Sequence, residues 1–194
     1  MRYLTQRKTD SSRVDQGPGF VGTWDVANGV RVTVMGADAW KWIDSLAFAR
    51  ETFAPTWERL DLGTRKILLE YRGRVVRRTV QAGDSAAVAS ETEFPEPVLA
   101  FNQVEMIVRS VPLQVGYTVV LPLYSEIEGA VESDTITVES GPRKVDSRIL
   151  WRVRFADPVI VAYYTVDGIS HSVVSYESTS RATGARMWRL PWSM

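Results

Sequence analysis

The sequence predicts a mainly β fold of the α+β class, a long antiparallel meander curled around one central helix at about residues 98–110. Three observations carry that reading. Extended apolar-polar runs recur along almost the whole chain, separated by Gly, Pro, Asn and Asp. Asn28-Gly29 and Asp167-Gly168 each fall between two such runs, and both dipeptides suit the positive φ angles of a tight hairpin. A single stretch, "VLAFNQVEMIVRSV", abandons alternation for helical spacing.

Taken in order, "MRYLTQRK" reads as an edge strand and "DSSRVDQGPG" as a polar turn, so residues 1–19 are expected to be loosely attached. "FVGTWDV" and "GVRVTVM" form a hairpin across Ala27-Asn28-Gly29. "KWIDSLAFAR" and "PTWERLDL" follow, broken apart by Phe53-Ala54-Pro55. In "TRKILLEY", Ile67, Leu69 and Tyr71 share one face and Lys66 and Glu70 the other, which is the signature of a half-buried strand. Arg72-Gly73 returns the chain into "RVVRRTV".

The helix comes next. Ala100, Val104, Ile107 and Val111 stand at i, i+4, i+7 and i+11, one apolar stripe. Pro95 and Pro97 precede it, and Pro112 bars Val111 from helical geometry and so ends it. The remainder is again β: "GYTVVLPLY", "GAVESDTITVES", "SRILWRVRF", "PVIVAYYTV", "ISHSVVSYE" and "ARMWRL". Glu128-Gly129, Gly141-Pro142, Asp157-Pro158, Asp167-Gly168 and Thr183-Gly184 are expected to separate them. With no repeat and no composition break, residues 1–194 are expected to form a single domain.

Composition narrows the function. The 23 basic and 23 acidic side chains cancel, and the basic ones are scattered, so no field draws in nucleic acid. The absence of cysteine excludes disulfides, thiolate nucleophiles and cysteine-ligated metals. No apolar run is long enough for a membrane-spanning helix, and the charged, polar start shows no signal-peptide core.

"FNQVEMIVRSVPLQVGYTVVLPLY" resembles the mid-chain R-x-L-P-L-x-x-G segment of a bacterial family of uncharacterised exported domains. "DSLAFARETFAPTWERL" is similar to that family's strand pair, and "WRVRF" with "YYTVDGISHSVVSYE" to its closing hairpin. The resemblance implies the fold of the lipoprotein-localisation factors: a strongly curved antiparallel sheet forming an incomplete β-barrel, with the helix packed in its concave face. It also implies the periplasm or cell envelope if a signal peptide has been removed; as it stands, the sequence would be cytoplasmic. The family has no established reaction and lends no catalytic residue.

Individual residues add little chemistry. His171, the one histidine, alternates with Ile169 and Val173 and reads as a partly buried strand residue, while Ser170 and Ser172 point away from it. Asp167 is expected to be used by its turn. Glu126, Glu128, Glu132 and Asp134 lack calcium-loop spacing and read as a solvated hairpin rim. Glu58, Glu70 and Glu105 are the first suspects for a carboxylate hydrolase, yet their spacing equally suits salt bridges to Arg59, Arg72 or Arg109. The seven tryptophans, at 24, 40, 42, 57, 151, 188 and 192, either fill the core or offer an amphiphile apolar area with polar handles.

The resulting expectation is a non-enzymatic half-barrel module binding a lipid-like or other hydrophobic small molecule through Val104, Met106, Ile107, Trp151 and Tyr164. No cofactor and no metal are expected. The alternative is a structural or protein-interaction domain with a filled core, meeting its partner through an edge strand such as "MRYLTQRK". A carboxylate hydrolase is the third reading.

Overall fold

The computed structural model describes residues 2–9, 12–26, 29–35 and 43–191, with side chains over 25–26, 29–32 and 43–188. Ala27 and Asn28 of the first expected hairpin turn lie outside the described residues, as do Trp40, Trp42 and Trp192; the Trp24 side chain lies outside them too.

The described residues are mainly β with one short helix. The strands are β1 (Arg2–Thr9), β2 (Ser12–Val26), β3 (Gly29–Met35), β4 (Ile43–Phe48), β5 (Pro55–Asp61), β6 (Arg65–Arg72), β7 (Val75–Ala82), β8 (Val88–Glu93) and β9 (Leu99–Ala100). A 3-10 turn (Phe101–Gln103) leads into α1 (Val104–Val108). Then come β10 (Thr118–Ser125), β11 (Ala130–Val145), β12 (Arg148–Ala156), β13 (Ile160–Asp167), β14 (Val173–Ser180) and β15 (Arg186–Pro191). The chain divides into two compact units, one mainly of residues 18–103 and 122–131, the other of 3–17, 104–121 and 132 onward.

In the first unit β8, β7, β6, β5, β4, β3 and β2 lie side by side, antiparallel throughout, with β8 at the end of the row. The end of β10 pairs in parallel with β9, Leu123 facing Leu99 and Tyr124 facing Ala100. Alternation in β6 sends Ile67, Leu69 and Tyr71 inward, where they meet Leu60, Val76, Val98, Ala100 and Tyr124. Tyr124 is held edge-on by Tyr71 and Phe94, with ring centroids 6.3 and 5.8 Å away. Each fully buried Leu or Ile here contributes roughly 1.5–3 kcal/mol.

The second unit orders its strands β1, β15, β14, β13, β12, β11. Facing residues form cross-strand ladders: Ile136, Phe155 and Ala162 in one row, and Val138, Val153, Tyr164 and Tyr176 in the next. Opposed side chains of this kind are the unit of sheet stabilisation.

Five expectations need correction. The polar turn expected over "DSSRVDQGPG" is instead the start of β2, which runs from Ser12. Residues 2–9 are not an edge, since β1 has β15 on one side and β2 on the other. The helix is far shorter than 98–110, because Leu99 and Ala100 place their backbone groups in the β10 ladder. It also stops before Pro112 acts: Ser110 N–H bonds the Ile107 carbonyl at 2.8 Å, a tightening of the last turn. Gly141-Pro142 does not separate strands, since β11 runs through it as an irregularity in the β11–β12 register. Proline, lacking an N–H, is tolerated at such a bulge. Finally, the β13–β14 connection spans residues 168–172, so His171 belongs to a turn, with φ of 52°, and not to a strand.

Candidate functional site

The most unusual chemistry lies in the first unit, where strand alternation carries carboxylates inward with the hydrophobics. Asp44 is in phase with Leu46 and Phe48 on β4, and Glu58 with Leu60 on β5. Just beyond β10, Glu126 is in phase with Tyr124. These residues are 1, 0 and 7% exposed.

Glu58 is the best satisfied of the three. Its Oε2 accepts the Tyr71 hydroxyl at 3.0 Å, and its Oε1 accepts Asn102 Nδ2 at 2.7 Å. Asn102 is presented by the 3-10 turn, which is pinned through Gln103. That side chain accepts the Ala100 N–H at 2.7 Å and donates to the Phe53 carbonyl at 2.8 Å. Asp44 Oδ1 and Glu126 Oε2, by contrast, are buried without any hydrogen-bond partner. The nearby cation, Arg78, spends its Nε and Nη2 on the carbonyls of Glu126 and Ile127, both at 3.1 Å.

Burial is the main cause that raises the proton affinity of all three acids, because a charge loses its hydration there. Mutual repulsion adds to it: Glu126 raises Asp44, and Asp44 and Glu126 raise Glu58. Burial likewise pushes the Tyr71 hydroxyl well above its ordinary value, with the Glu58 charge second. Among the described residues no group of His, Cys, Asp and Glu is arranged to hold a metal ion. Burial thus favours the neutral form of each of the three acids over the ionised one.

A second buried acid stands in the other unit. Asp134, in phase with Ile136 and Val138, is fully buried with neither oxygen bonded. Burial, then the Asp157 and Glu132 charges, raise it to about 7. The solvated rim expected for this stretch holds for Glu128, which is exposed, but Glu126 and Asp134 turn inward.

Of the residues expected to touch a hydrophobic ligand, four are buried by the protein itself and Trp151 is half-buried. Val104, Met106 and Ile107 share α1 and are buried, and Tyr164 is buried edge-on to Tyr176 with centroids 5.0 Å apart. Trp151 and Tyr164 are diagonal neighbours on β12 and β13, as Trp151 faces Val166 and Val153 faces Tyr164. The Trp151 indole lies against two glycines. A Cβ on Gly141 would come within 2.6 Å of it, and one on Gly168 within 2.8 Å.

Of the suspected hydrolase acids, Glu70 is a half-buried partner of Arg72 and Arg77, at 3.6 and 3.7 Å, and only Glu58 enters the cluster. His171 Nδ1 bonds the Arg109 carbonyl at 2.9 Å, and Arg109 Nε donates back to the His171 carbonyl. Asp167 is consumed by its turn, its Oδ1 accepting the N–H groups of Ile169 and Ser170.

A cavity of about 470 Å³ opens elsewhere in the first unit, lined by Val26, Gly29, Arg31, Ala47, Phe48, Thr56 and Trp57. The Arg31 guanidinium lies 5.6 Å from the Trp57 ring centre. Gly29 is obligatory beside it, since a Cβ there would fall 2.3 Å from the Phe48 carbonyl oxygen.

The inward acids were readable in phase but not in identity: each sits at an apolar position of an alternating run, and the usual rule sends carboxylates outward. No helix among the described residues is long and apolar enough to cross a membrane. Compared with known proteins, the chain matches no family profile, no curated protein and no solved structure.

Proposed function

We propose that this chain is a non-enzymatic protein-interaction module with filled interiors, which accepts an extended basic segment along the open edge of β8. The observation that carries this reading is the state of β8 itself. It ends its row of strands, and all six of its residues are exposed, Val88 by 71%. An outer row of backbone N–H and C=O groups is a template for strand addition. Residues 83–97 hold Asp84, Glu91, Glu93 and Glu96 and no lysine or arginine. Glu93 is paired with Arg74 at 2.7 Å and Glu91 faces Arg77 on β7, and the acidic balance of the segment itself favours a basic partner. The burial of Val104, Met106, Ile107 and Tyr164 and of the acid cluster also supports a packed module over a carrier or a hydrolase.

The test is titration with a ten-residue peptide of alternating lysine and valine. Saturable binding is expected, weakened by salt and lost on Glu91→Lys/Glu93→Lys. Equal binding of an alternating glutamate-valine peptide, or none of either, overturns the proposal.

A hydrophobic-ligand reading keeps one specific support, the cavity beside Trp57, whose volume lies within the roughly 300–1,000 Å³ usual for small-molecule sites. Phe48, Ala47 and Val26 would take the apolar body and Arg31 an anionic head. A fluorescent fatty-acid titration decides it: no saturable change in wild type, or one unchanged by Trp57→Leu, removes this reading.

A further inference from the structure

We propose that Asp44, Glu58 and Glu126 form a shared proton store that makes the first unit a pH-gated element, closed while the acids hold protons and opening at residues 98–103 when they ionise. The geometry supplies the gate. Three carboxylates from β4, β5 and the end of β10 are enclosed together, and two of their oxygens have no donor at all. An ionised carboxylate in that position would be a buried charge without hydration or a paired cation, a far costlier state than the neutral acid.

Every neighbouring element bears on this balance. From β6, Tyr71 donates to Glu58, and its own hydroxyl stays protonated as burial and Glu58 require. From β10, the Tyr124 hydroxyl is likewise raised, by burial first. From β7, Arg78 tempers Glu126 but is anchored on backbone carbonyls. From β4, the Ser45 N–H favours the ionised form of Asp44 without outweighing its burial. The 3-10 turn contributes Asn102, an uncharged amide that donates to Glu58 and also favours the charged form of Glu126.

That turn follows the shortest strand pairing in the first unit. β9 pairs over only two residues, and Gln103 and Asn102 tie the segment down by side-chain bonds. Repulsion among ionised acids therefore relieves itself most easily by releasing residues 98–103, which admits water. The sign follows from where the protons sit: the folded state retains them at a pH where the unfolded chain has lost them. Stability is complete below the ordinary carboxylate range and falls as pH rises through the folded values.

The decisive measurement is the side-chain carboxyl carbon-13 shift of Asp44, Glu58 and Glu126 from pH 4 to 9, in the intact chain. At least one of the three is expected to remain protonated at pH 7. Alongside it, the urea midpoint falls from pH 5 to 9, and Asp44→Asn and Glu126→Gln each remove a substantial part of that fall. Ordinary ionisation of all three by pH 5 overturns the proposal even if no variant folds. So does a pH dependence identical in wild type and both variants.

Discussion

The hydroxyl of Tyr71 donates to Glu58 Oε2 at 3.0 Å, on the inner faces of adjoining strands β6 and β5. The phenol donates here, and so satisfies one lone pair of a carboxyl buried away from solvent. Tyr71→Phe keeps the ring contact with Tyr124 but leaves that oxygen without a donor. A loss of about 1–3 kcal/mol is expected by urea denaturation at pH 5. The same change in a Glu58→Gln background is expected to cost a different amount, since the two groups act on each other.

Asp134 gives a pH prediction in the second unit. Its folded value of about 7 exceeds the ordinary carboxylate value, so the folded chain holds the proton longer. Its contribution to stability is whole below about pH 4 and is lost as pH rises toward 7. Asp134→Asn is therefore expected to raise the urea midpoint at pH 8 while making little difference at pH 4. Equal effects at both pH values would show that Asp134 does not titrate in this window.

Trp151 is predicted to be a packing residue, because its indole occupies the space that a side chain at Gly141 or Gly168 would need. Gly141→Ala adds a backbone objection, as its φ of 138° is one that side-chain-bearing residues rarely adopt. Each alanine is expected to cost about 1–3 kcal/mol and to shift Trp emission. In a Trp151→Leu background the Gly168→Ala cost should shrink, which thermal denaturation of the three variants will reveal.

Gln103 is fully buried and bonded at both ends, to the Ala100 N–H and the Phe53 carbonyl. Gln103→Leu keeps the approximate volume but strands both backbone groups. An expected loss of about 2–5 kcal/mol follows, and hydrogen exchange should place the loosening at residues 98–103.

Much of this architecture was legible because a strand writes its own period. "TRKILLEY" displays Ile67, Leu69 and Tyr71 as an inward row, and the structure buries all three. Asp167 reads as a turn residue, and its carboxylate does cap the turn. The helix was legible as a feature but not in extent. Val104 to Val108 kept the apolar stripe, while Leu99 and Ala100 were claimed by a parallel pairing with residues 123 and 124. The acid site was half legible: Glu58 was named as a suspected hydrolase acid with a salt bridge as the alternative, Glu126 was read as part of a solvated rim, and Asp44 was passed over.

By itself the sequence determined which residues alternate, where glycine and proline bend the chain, and that β structure dominates with one helical stretch in mid-chain. Those are local properties, set by backbone sterics and side-chain period. Only the tertiary structure decided that Asp44, Glu58 and Glu126 share one enclosure, that Trp151 rests on two glycines, and that β1 has neighbours on both sides while β8 has one. Each depends on which strands become neighbours. That is a global choice, made by burying the most apolar area with the fewest unpaired backbone groups, and no single run of residues records it.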